Sequence, residues 1–404
     1  MKLTIERLGH QGDGVARGPV FVAKTLPGEV VEGEILGDRI DAPKILESSS
    51  DRVAPPCRHF KACGGCSLQH ASNEFVSEWK ADVVRTALQA HGIDAPIKDV
   101  HTSPGQSRRR AALSGRRTKK GAIVGFHARA SGEIIEIPDC QLLLPELMAV
   151  IPALQDLTIA GASRRAELSF TITHSLAGVD VVVVGGKELD GPLRSELAMF
   201  CERYGFARLV WGDEPLAERA PPSQPFGAAR VVPPAGAFLQ ATEHGEASLL
   251  AAVQRCVEGA NQIADLFSGC GTFSLPLAEH AELHCVETDA AMLAALDQGW
   301  RTATGLKKVT TEARDLFRRP LMPDELKRFD VVVLDPPRAG ANAQSAELAK
   351  SSIPKIAAIS CNPVTFARDA QLLIGGGYRL DWIEVVDQFR WSPHVEVVAS
   401  FTEA

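Results

Sequence analysis

The alternation of apolar and polar positions changes character twice along the chain. From Leu3 to Leu46, short apolar alternations are broken by glycine, in "TIERLGHQGDGVAR" and "PVFVAKTLPGEVVEGEIL", with Leu26-Pro27-Gly28 marking a turn. Several short strands within about 50 residues predict a small barrel over 1–50. Oligonucleotide-binding barrels are one common kind, and a generic all-β module is the plainer alternative. "LESSSDRVAPP" reads as a linker, and a helical pattern runs from Asn73 to His91, stopped by Gly92. Residues 51–72 and 100–232 make a mixed α+β central region, in which strand-like runs such as "GVDVVVVGG" lead to the proline-rich "RAPPSQPFGAARVVPPAG". From 233 to 404, strand and helix patterns alternate, which predicts βαβ units and a mostly parallel sheet. The last two strands, "RLDWIEVVDQF" and "HVEVVASFTE", are close enough to form an antiparallel hairpin at the edge of that sheet.

A chain of 404 residues is long for one core. Its 45% hydrophobic and 23% charged residues are ordinary for a globular protein. Lys+Arg 43 minus Asp+Glu 50 gives −7, which excludes a wholly basic nucleic-acid binder but leaves room for a local basic face. The start, "MKLTIERLGHQG", has no signal-like apolar stretch, and no run of about 18 apolar residues is long enough to span a membrane. The expectation is a cytoplasmic monomer without membrane contact. Nine cysteines in that compartment read as metal or catalytic groups rather than disulfides.

Three of them, Cys57, Cys63 and Cys66, lie together in "PPCRHFKACGGCSLQH". Gly64 and Gly65 let the backbone fold tightly enough for two thiolates to face one centre. Cys140, in "IPDCQLLLPEL", is the best fourth ligand, with His59 and His70 as rival ligands. Zinc sites more often use two close pairs, and a triad with one distant cysteine suits an iron–sulfur cluster at least as well, so spacing leaves both open. Between His101 and Ala130 there are eight Lys/Arg and no acid. Arg108, Arg109 and Arg110 lead into one strand-like run, and Arg116, Arg117, Lys119 and Lys120 occupy the turn before another. A hairpin would gather them on one face, which phosphate backbones reward, although a charge run is often only solvated surface.

In "NQIADLFSGCGTFSLPLAE" a strand enters a glycine-rich turn, but Ser274 stands where a dinucleotide fingerprint wants its third glycine. The following strands end in Glu287, Asp315 and Asp335. Three such carboxylates suit a positively charged nucleoside without phosphates, S-adenosylmethionine rather than NAD or ATP, although each acid taken singly could be a helix cap. In "KIAAISCNPVTFARD" a lone thiol, Cys361, sits where a buried strand stops, since Asn362-Pro363 forces the chain out. Free cysteine is usually a small core residue, so the corner needs further support to be chemistry. Glu396 begins the final strand between valines, and burial there raises a carboxyl toward a base's working range.

With "DLFSGCGTF", "VETD", "LDPPRAG", "ISCNP" and "HVE" in that order, the chain resembles the RNA uridine-5 methyltransferases that use S-adenosylmethionine. "GAFLQAT" looks like their Phe-x-Gln motif, the cysteine spacing matches their iron–sulfur branch, and the first 50 residues look like their RNA-binding barrel. The resemblance implies a Rossmann-like class I methyltransferase domain behind an OB-like barrel and a central domain, with the segment 73–99 packed on the catalytic domain. It makes Cys361 the nucleophile and Glu396 the base. Gln240, Phe267, Glu287 and Asp335 fall at its cofactor positions, with Thr272 and Asp315 beside them. Cys57, Cys63, Cys66 and Cys140 become ligands of a [4Fe–4S] cluster. Thr242 and "RWSPHVE" depart from the family's usual residues. Its tRNA-modifying branch typically lacks both barrel and cluster, so large-subunit (23S) ribosomal RNA is the implied substrate and tRNA the alternative. Rival readings are an exocyclic-amine methyltransferase, which would want an aromatic where Arg338 stands, and a non-catalytic RNA-binding protein with a metal centre. Cytosine as the target base is a third.

Overall fold

In a computed structural model covering residues 1–404, the strands form sheets of six, seven, eight and two strands. The first holds β1 (Lys2–Leu8), β2 (Gly14–Ala16), β3 (Val20–Val22), β4 (Val30–Glu32), β5 (Arg39–Ile40) and β6 (Lys44–Glu47), in the order β5-β3-β2-β1-β4-β6. Alternate residues Ile5, Ala16, Val22, Val31 and Ile40 make its core. Gly14 is needed there because a Cβ would fall 2.1 Å from Thr25 Oγ1. Buried Asp13 accepts from Arg39 of this sheet and from Arg129 of the next, pinning the two together.

Residues 51–72 carry no long element and lead to α1 (Asn73–Gln89), whose first turn is capped by the Ser72 hydroxyl on the Phe75 N–H. β7 (Ile97–Thr102) follows. The seven-stranded sheet contains β8 (Arg110–Arg117), β9 (Ala122–His127), β10 (Ile134–Glu136), β11 (Glu167–Ser175), β12 (Gly178–Val184), β13 (Arg208–Trp211) and β14 (Glu214–Glu218). Between them lie α2 (Pro145–Ala149), α3 (Ile151–Gly161) and α4 (Gly191–Arg203), with α3 and α4 packed together. A ribbon of β15 (Gln224–Phe226) and β16 (Ala229–Val231) comes next.

The remaining chain runs α5 (Glu243–Val257), β17 (Gln262–Leu266), α6 (Ser274–Leu277), β18 (Glu282–Glu287), α7 (Ala290–Thr302), β19 (Val309–Ala313), α8 (Pro323–Leu326), β20 (Val331–Leu334), α9 (Asn342–Leu348), β21 (Lys355–Ser360), α10 (Pro363–Gly375), β22 (Tyr378–Asp387) and β23 (Glu396–Glu403). Strand order is β19-β18-β17-β20-β21-β23-β22-β7. The first five are parallel, and β23 runs antiparallel between β21 and β22. This is the Rossmann-like arrangement the alternating pattern implies. The direction of winding reverses between β17 and β20, and ligands bind at the carboxyl ends of strands around such a point.

One detail differs from the sequence reading. The β22–β23 hairpin is not the edge, because β7 pairs parallel with β22 outside it. The segment joined to this sheet therefore extends to Thr102, and α1 packs on α10 and β22. β7 escaped notice because "IKDVHT" mixes charged and apolar positions, as a half-exposed edge strand can. No helix is long and apolar enough to cross a membrane.

Candidate active site

β21 ends at Ser360, so Cys361 is the first residue beyond a strand buried from Ile356 to Ser360. Asn362 then caps α10 by accepting the Val364 N–H at 3.1 Å, with Pro363 in the first turn. Ser360 pairs with Val397 across to β23, which brings Glu396 beside Cys361. β20 ends opposite Ala358, and Asp335 follows it toward the same corner. The next loop is tied down by the Arg338 carbonyl, which accepts Asn362 Nδ2 at 3.0 Å and Thr365 Oγ1 at 3.3 Å. One thiol and two carboxyls thus meet at the ends of three adjacent strands.

Their electrostatics follow from that crowding. Burial pushes the Cys361 thiol up to about 11, the Glu396 and Asp335 carboxylates add to this, and Arg338 opposes it. Glu396, 3% exposed, is pushed up to about 8 by burial and then by Asp335, while Gln388 and Arg338 favour its ionised form. Asp335 is pushed up to about 7 by burial and by Asp265. Asp265 rises to about 7 for the same first reason, although the Ser274 hydroxyl donates to it, and its Oδ1 is buried without a partner. The serine that spoils a dinucleotide fingerprint is thus the hydroxyl that solvates this acid.

Around the crevice, Glu287 accepts the N–H groups of Gly269, Thr288 and Asp289 at 3.2, 2.6 and 3.0 Å. Asp315 accepts the Phe317 N–H at 3.0 Å. Phe267 is held at φ 64°, a left-handed conformation uncommon for an aromatic residue, with its ring 5.4 Å from that of Phe317. Thr272 is half-buried in the same turn, after Gly271 at φ 95°. Gln240 is buried, and its Oε1 accepts Gln388 Nε2 at 2.6 Å. A concentration of acids around an unpartnered buried carboxylate oxygen suits a cationic ligand.

Comparison with known proteins bears on this corner directly. The family model for tRNA (Uracil-5-)-methyltransferase matches residues 300–402, the stretch holding Asp335, Cys361 and Glu396. An RNA methyltransferase of Mesorhizobium japonicum is 46% identical, covering 98% of this chain and 97% of its own. A 23S rRNA (uracil(1939)-C(5))-methyltransferase of Halomonas elongata is 34% identical, covering 98% and 88%. This chain belongs to the RNA uracil-5-methyltransferase family. The Pyrococcus abyssi tRNA (uracil-54, C5)-methyltransferase shares the fold end to end, with a TM-score of 0.78, 23% identity and coverage of 100% and 99%.

In this methyltransferase the four clustered cysteines stand in one another's field. Burial raises the thiols of Cys63 and Cys140 and takes Cys66 to about 12, with neighbouring thiols adding to each. Cys63 Sγ accepts the Gly65 N–H at 3.3 Å, and Cys140 Sγ accepts that of Leu142 at 3.4 Å. Gly64 is required because a Cβ would lie 2.6 Å from the His127 carbonyl. No three His, Cys, Asp or Glu side chains close around one ion. His59 is taken up by Asp139 at 2.6 Å, and buried His70 is pushed down to about 4 by desolvation, with neither nitrogen bonded.

The basic segment divides. β8 and β9 do form a hairpin, with Lys119 and Lys120 exposed at its tip and Arg117 half-buried. Arg116 bonds Glu167 at 2.6 Å. Arg108 lines the large cleft and lies 5.2 Å over the Phe389 ring. Arg110 donates to the Gly236 carbonyl at 3.1 Å. Arg109 needs correcting as an RNA contact: it is 1% exposed, donates to the Gln240 carbonyl at 3.1 Å and is ion-paired with Glu246. Alternation along the incoming strand turns it inward between two half-buried neighbours. The cleft, about 1520 Å³, runs from Arg7 and His10 of the first sheet past Phe126 and Arg129 to Arg338, Cys361 and His394.

Residues that the motifs did not mark are Asp265, Gln388 and Lys80. Asp265 lies inside the quoted "ADLFSG", where an acid in a buried strand was the available signal. Lys80, fully buried on α1, bonds Asp387 at 2.5 Å and the His394 carbonyl at 2.9 Å. Nothing local in "SEWKADVV" distinguishes that lysine from a solvated one.

Proposed function

We propose that this chain transfers the methyl group of S-adenosylmethionine to C5 of a uridine in RNA through a covalent adduct on Cys361, with 23S ribosomal RNA as substrate. The observation that carries the chemistry is the meeting of Cys361 with Glu396 across β21 and β23, beside Asp335. C5 of a pyrimidine is a poor nucleophile. A thiolate adding to C6 places an electron pair on C5, and the covalent bond persists until it is withdrawn. The cofactor, when bound, supplies an electrophilic methyl group. C5 then carries both methyl and hydrogen, so Glu396 takes that proton, the C5–C6 double bond re-forms and the thiolate leaves. Glu396 is suited to accept it because burial already raises its affinity for a proton.

Gln240, Phe267, Thr272, Glu287, Asp315 and Asp335 are read as the cofactor's contacts, on the strength of the acidic crevice and the orphan oxygen of Asp265. The large cleft leading to Cys361 gives folded RNA a route to that corner, where a flipped base can enter. Ribosomal RNA is favoured by the Halomonas elongata relative at 34% identity.

Cys57, Cys63, Cys66 and Cys140 are read as ligands of a [4Fe–4S] cluster. The donor set fits: all four thiols are free, Cys66 lies in the field of Cys140, Cys63 and Cys57, and two sulfurs accept backbone N–H groups. Those four side chains would hold the cluster, whose countercharge would tie the 57–66 loop to Cys140. Anaerobically purified protein should be brown, and stoichiometric zinc without visible absorbance would leave a metal site but not this one.

RNA bearing 5-fluorouridine at the target tests the central reading, because fluorine in place of the C5 proton blocks the last step. Wild-type protein should be trapped in a denaturation-resistant adduct, and trapping by Cys361→Ala would remove the thiol from the mechanism. Mapping 5-methyluridine in ribosomal and transfer RNA of a deletion strain tests the substrate. Loss from tRNA alone would replace ribosomal RNA and leave the chemistry standing.

A further inference from the structure

Gln388 follows Asp387 at the end of β22 and is 1% exposed. Its Oε1 accepts the backbone N–H of Ala241 at 2.6 Å, and its Nε2 lies 2.6 Å from Oε1 of Gln240. The first bond fixes the second. A backbone N–H can only donate, so the Gln388 atom facing Ala241 must be oxygen. Its nitrogen therefore faces Gln240, and an amide nitrogen needs an acceptor, so it meets the carbonyl oxygen of Gln240. Both N–H donors of Gln240 are left for a ligand.

The rest of the surroundings hold Gln388 in place. Lys80 binds the Asp387 carboxylate at 2.5 Å and the carbonyls of Phe389 and His394 at 3.4 and 2.9 Å, stapling both ends of the loop between β22 and β23. Gly245 at the start of α5 admits the side chain, since a Cβ there would stand 2.5 Å from Gln388 Cβ. Arg109 holds the other side of the cofactor loop through the Gln240 carbonyl at 3.1 Å. Glu396 pairs with Val386, two residues before Gln388, and the Gln388 amide favours its carboxylate form.

We propose that Gln388 is a positioning residue that fixes Gln240 as a hydrogen-bond donor toward the cofactor. This rests on the reading of Gln240 as a cofactor contact. An amide locked by a backbone N–H cannot flip without breaking that bond, so Gln240 presents one polarity whether or not the crevice is filled. Loss of the lock costs about one hydrogen bond's worth of preference.

Gln388→Glu tests it at constant shape. The new carboxylate still accepts the Ala241 N–H but repels Gln240 Oε1, so Gln240 turns its amide over and offers a carbonyl to the ligand. Affinity for S-adenosylmethionine, measured by calorimetry without RNA, should fall about tenfold. If Gln388→Glu does not fold, Gln240→Glu reverses the same polarity with Gln388 intact and should weaken the cofactor by a similar factor. Wild-type cofactor affinity in whichever variant melts like the parent overturns the proposal. Glu396→Gln keeps the outcomes apart: if it slows adduct decay while Gln388→Glu changes nothing, this inference falls and the base reading stands. If the parent forms no adduct, the base reading falls, and the cofactor measurement still decides the role of Gln388.

Discussion

Two groups of thiols in this molecule are raised by burial, yet they keep opposite company. Cys361 sits half-buried at a sheet edge, with Glu396 and Asp335 pushing its proton affinity up and Arg338 pulling it down. Cys63, Cys66 and Cys140 are pushed up by burial and then by one another. A lone thiol among carboxyls gains from a cation that arrives with the reaction and departs after it. Thiols crowded into one another's field gain from a permanent one. The same residue type is thus read as a reagent in one region and a ligand in the other from what surrounds it.

The sharpest way to break that comparison is to remove one thiol from each region. Cys361→Ala should lower single-turnover methyl transfer by roughly four orders of magnitude or more, while iron content stays at the parent level. Cys63→Ser should lose iron and melt lower, while cofactor affinity measured by calorimetry stays close to the parent's. Iron loss in Cys361→Ala, or unchanged iron in Cys63→Ser, would mean that the regions are misassigned.

A smaller effect separates the two groups within the corner itself. Glu396→Gln keeps the thiol and the methyl donor's site but removes the proton acceptor. Adduct decay should slow by roughly 10²–10⁴-fold, the usual range for general base catalysis, so the adduct accumulates on ordinary RNA. Fast multiple turnover by this variant would take Glu396 out of the role.

The two regions were also unequally legible in the sequence. β18, β20 and β21 each end at a residue that the text of the chain marks, because a buried apolar run followed by an acid or by Asn-Pro is a local signal. Cys361 and Glu396 could be paired only through family resemblance, since nothing local says that β23 returns beside β21. The basic run was readable as a charge pattern but not as a set of contacts. Arg109 points inward because of strand alternation set by its partners, and Glu246, its countercharge, lies in another element. Lys80 and Asp387 pair from opposite ends of the chain, a long-range fact invisible to any window.

A milder expectation concerns stability against pH. Asp265, Asp335 and Glu396 are raised to about 7, 7 and 8 in the folded protein. The unfolded chain releases those protons near pH 4, so above that the folded state binds more protons and loses stability as pH rises through its own values. His70, His284 and His394 are lowered by burial and act in the opposite sense, but only below about pH 6.5, where an unfolded histidine charges. Between pH 6.5 and 8 the carboxyls dominate, and the cofactor-free protein should melt progressively lower, by a few degrees, on a scale of about 2–4 °C per kcal/mol. Asp335→Asn should flatten that slope. An unchanged slope would mean that Asp335 is already ionised at pH 6.5.

The smallest effect sets the hairpin tip against its own strand start. Lys119 and Lys120 are exposed at the β8–β9 turn, whereas Arg109 is enclosed between the Gln240 carbonyl and Glu246. Phosphate contacts release counterions, and each one lost lowers the slope of log affinity against log salt by about 0.7–0.9. Replacing Lys119 and Lys120 by alanine should weaken RNA binding at low salt, flatten that slope and leave cofactor affinity unchanged. Arg109→Lys should do the reverse, since a lysine cannot reproduce the fork that spans Gln240 and Glu246. RNA affinity of this variant should keep the parent's salt dependence while cofactor binding weakens. If instead Arg109→Lys flattens the salt slope as much as the lysine pair does, the buried arginine is exposed in the RNA-bound protein, and the inward assignment fails.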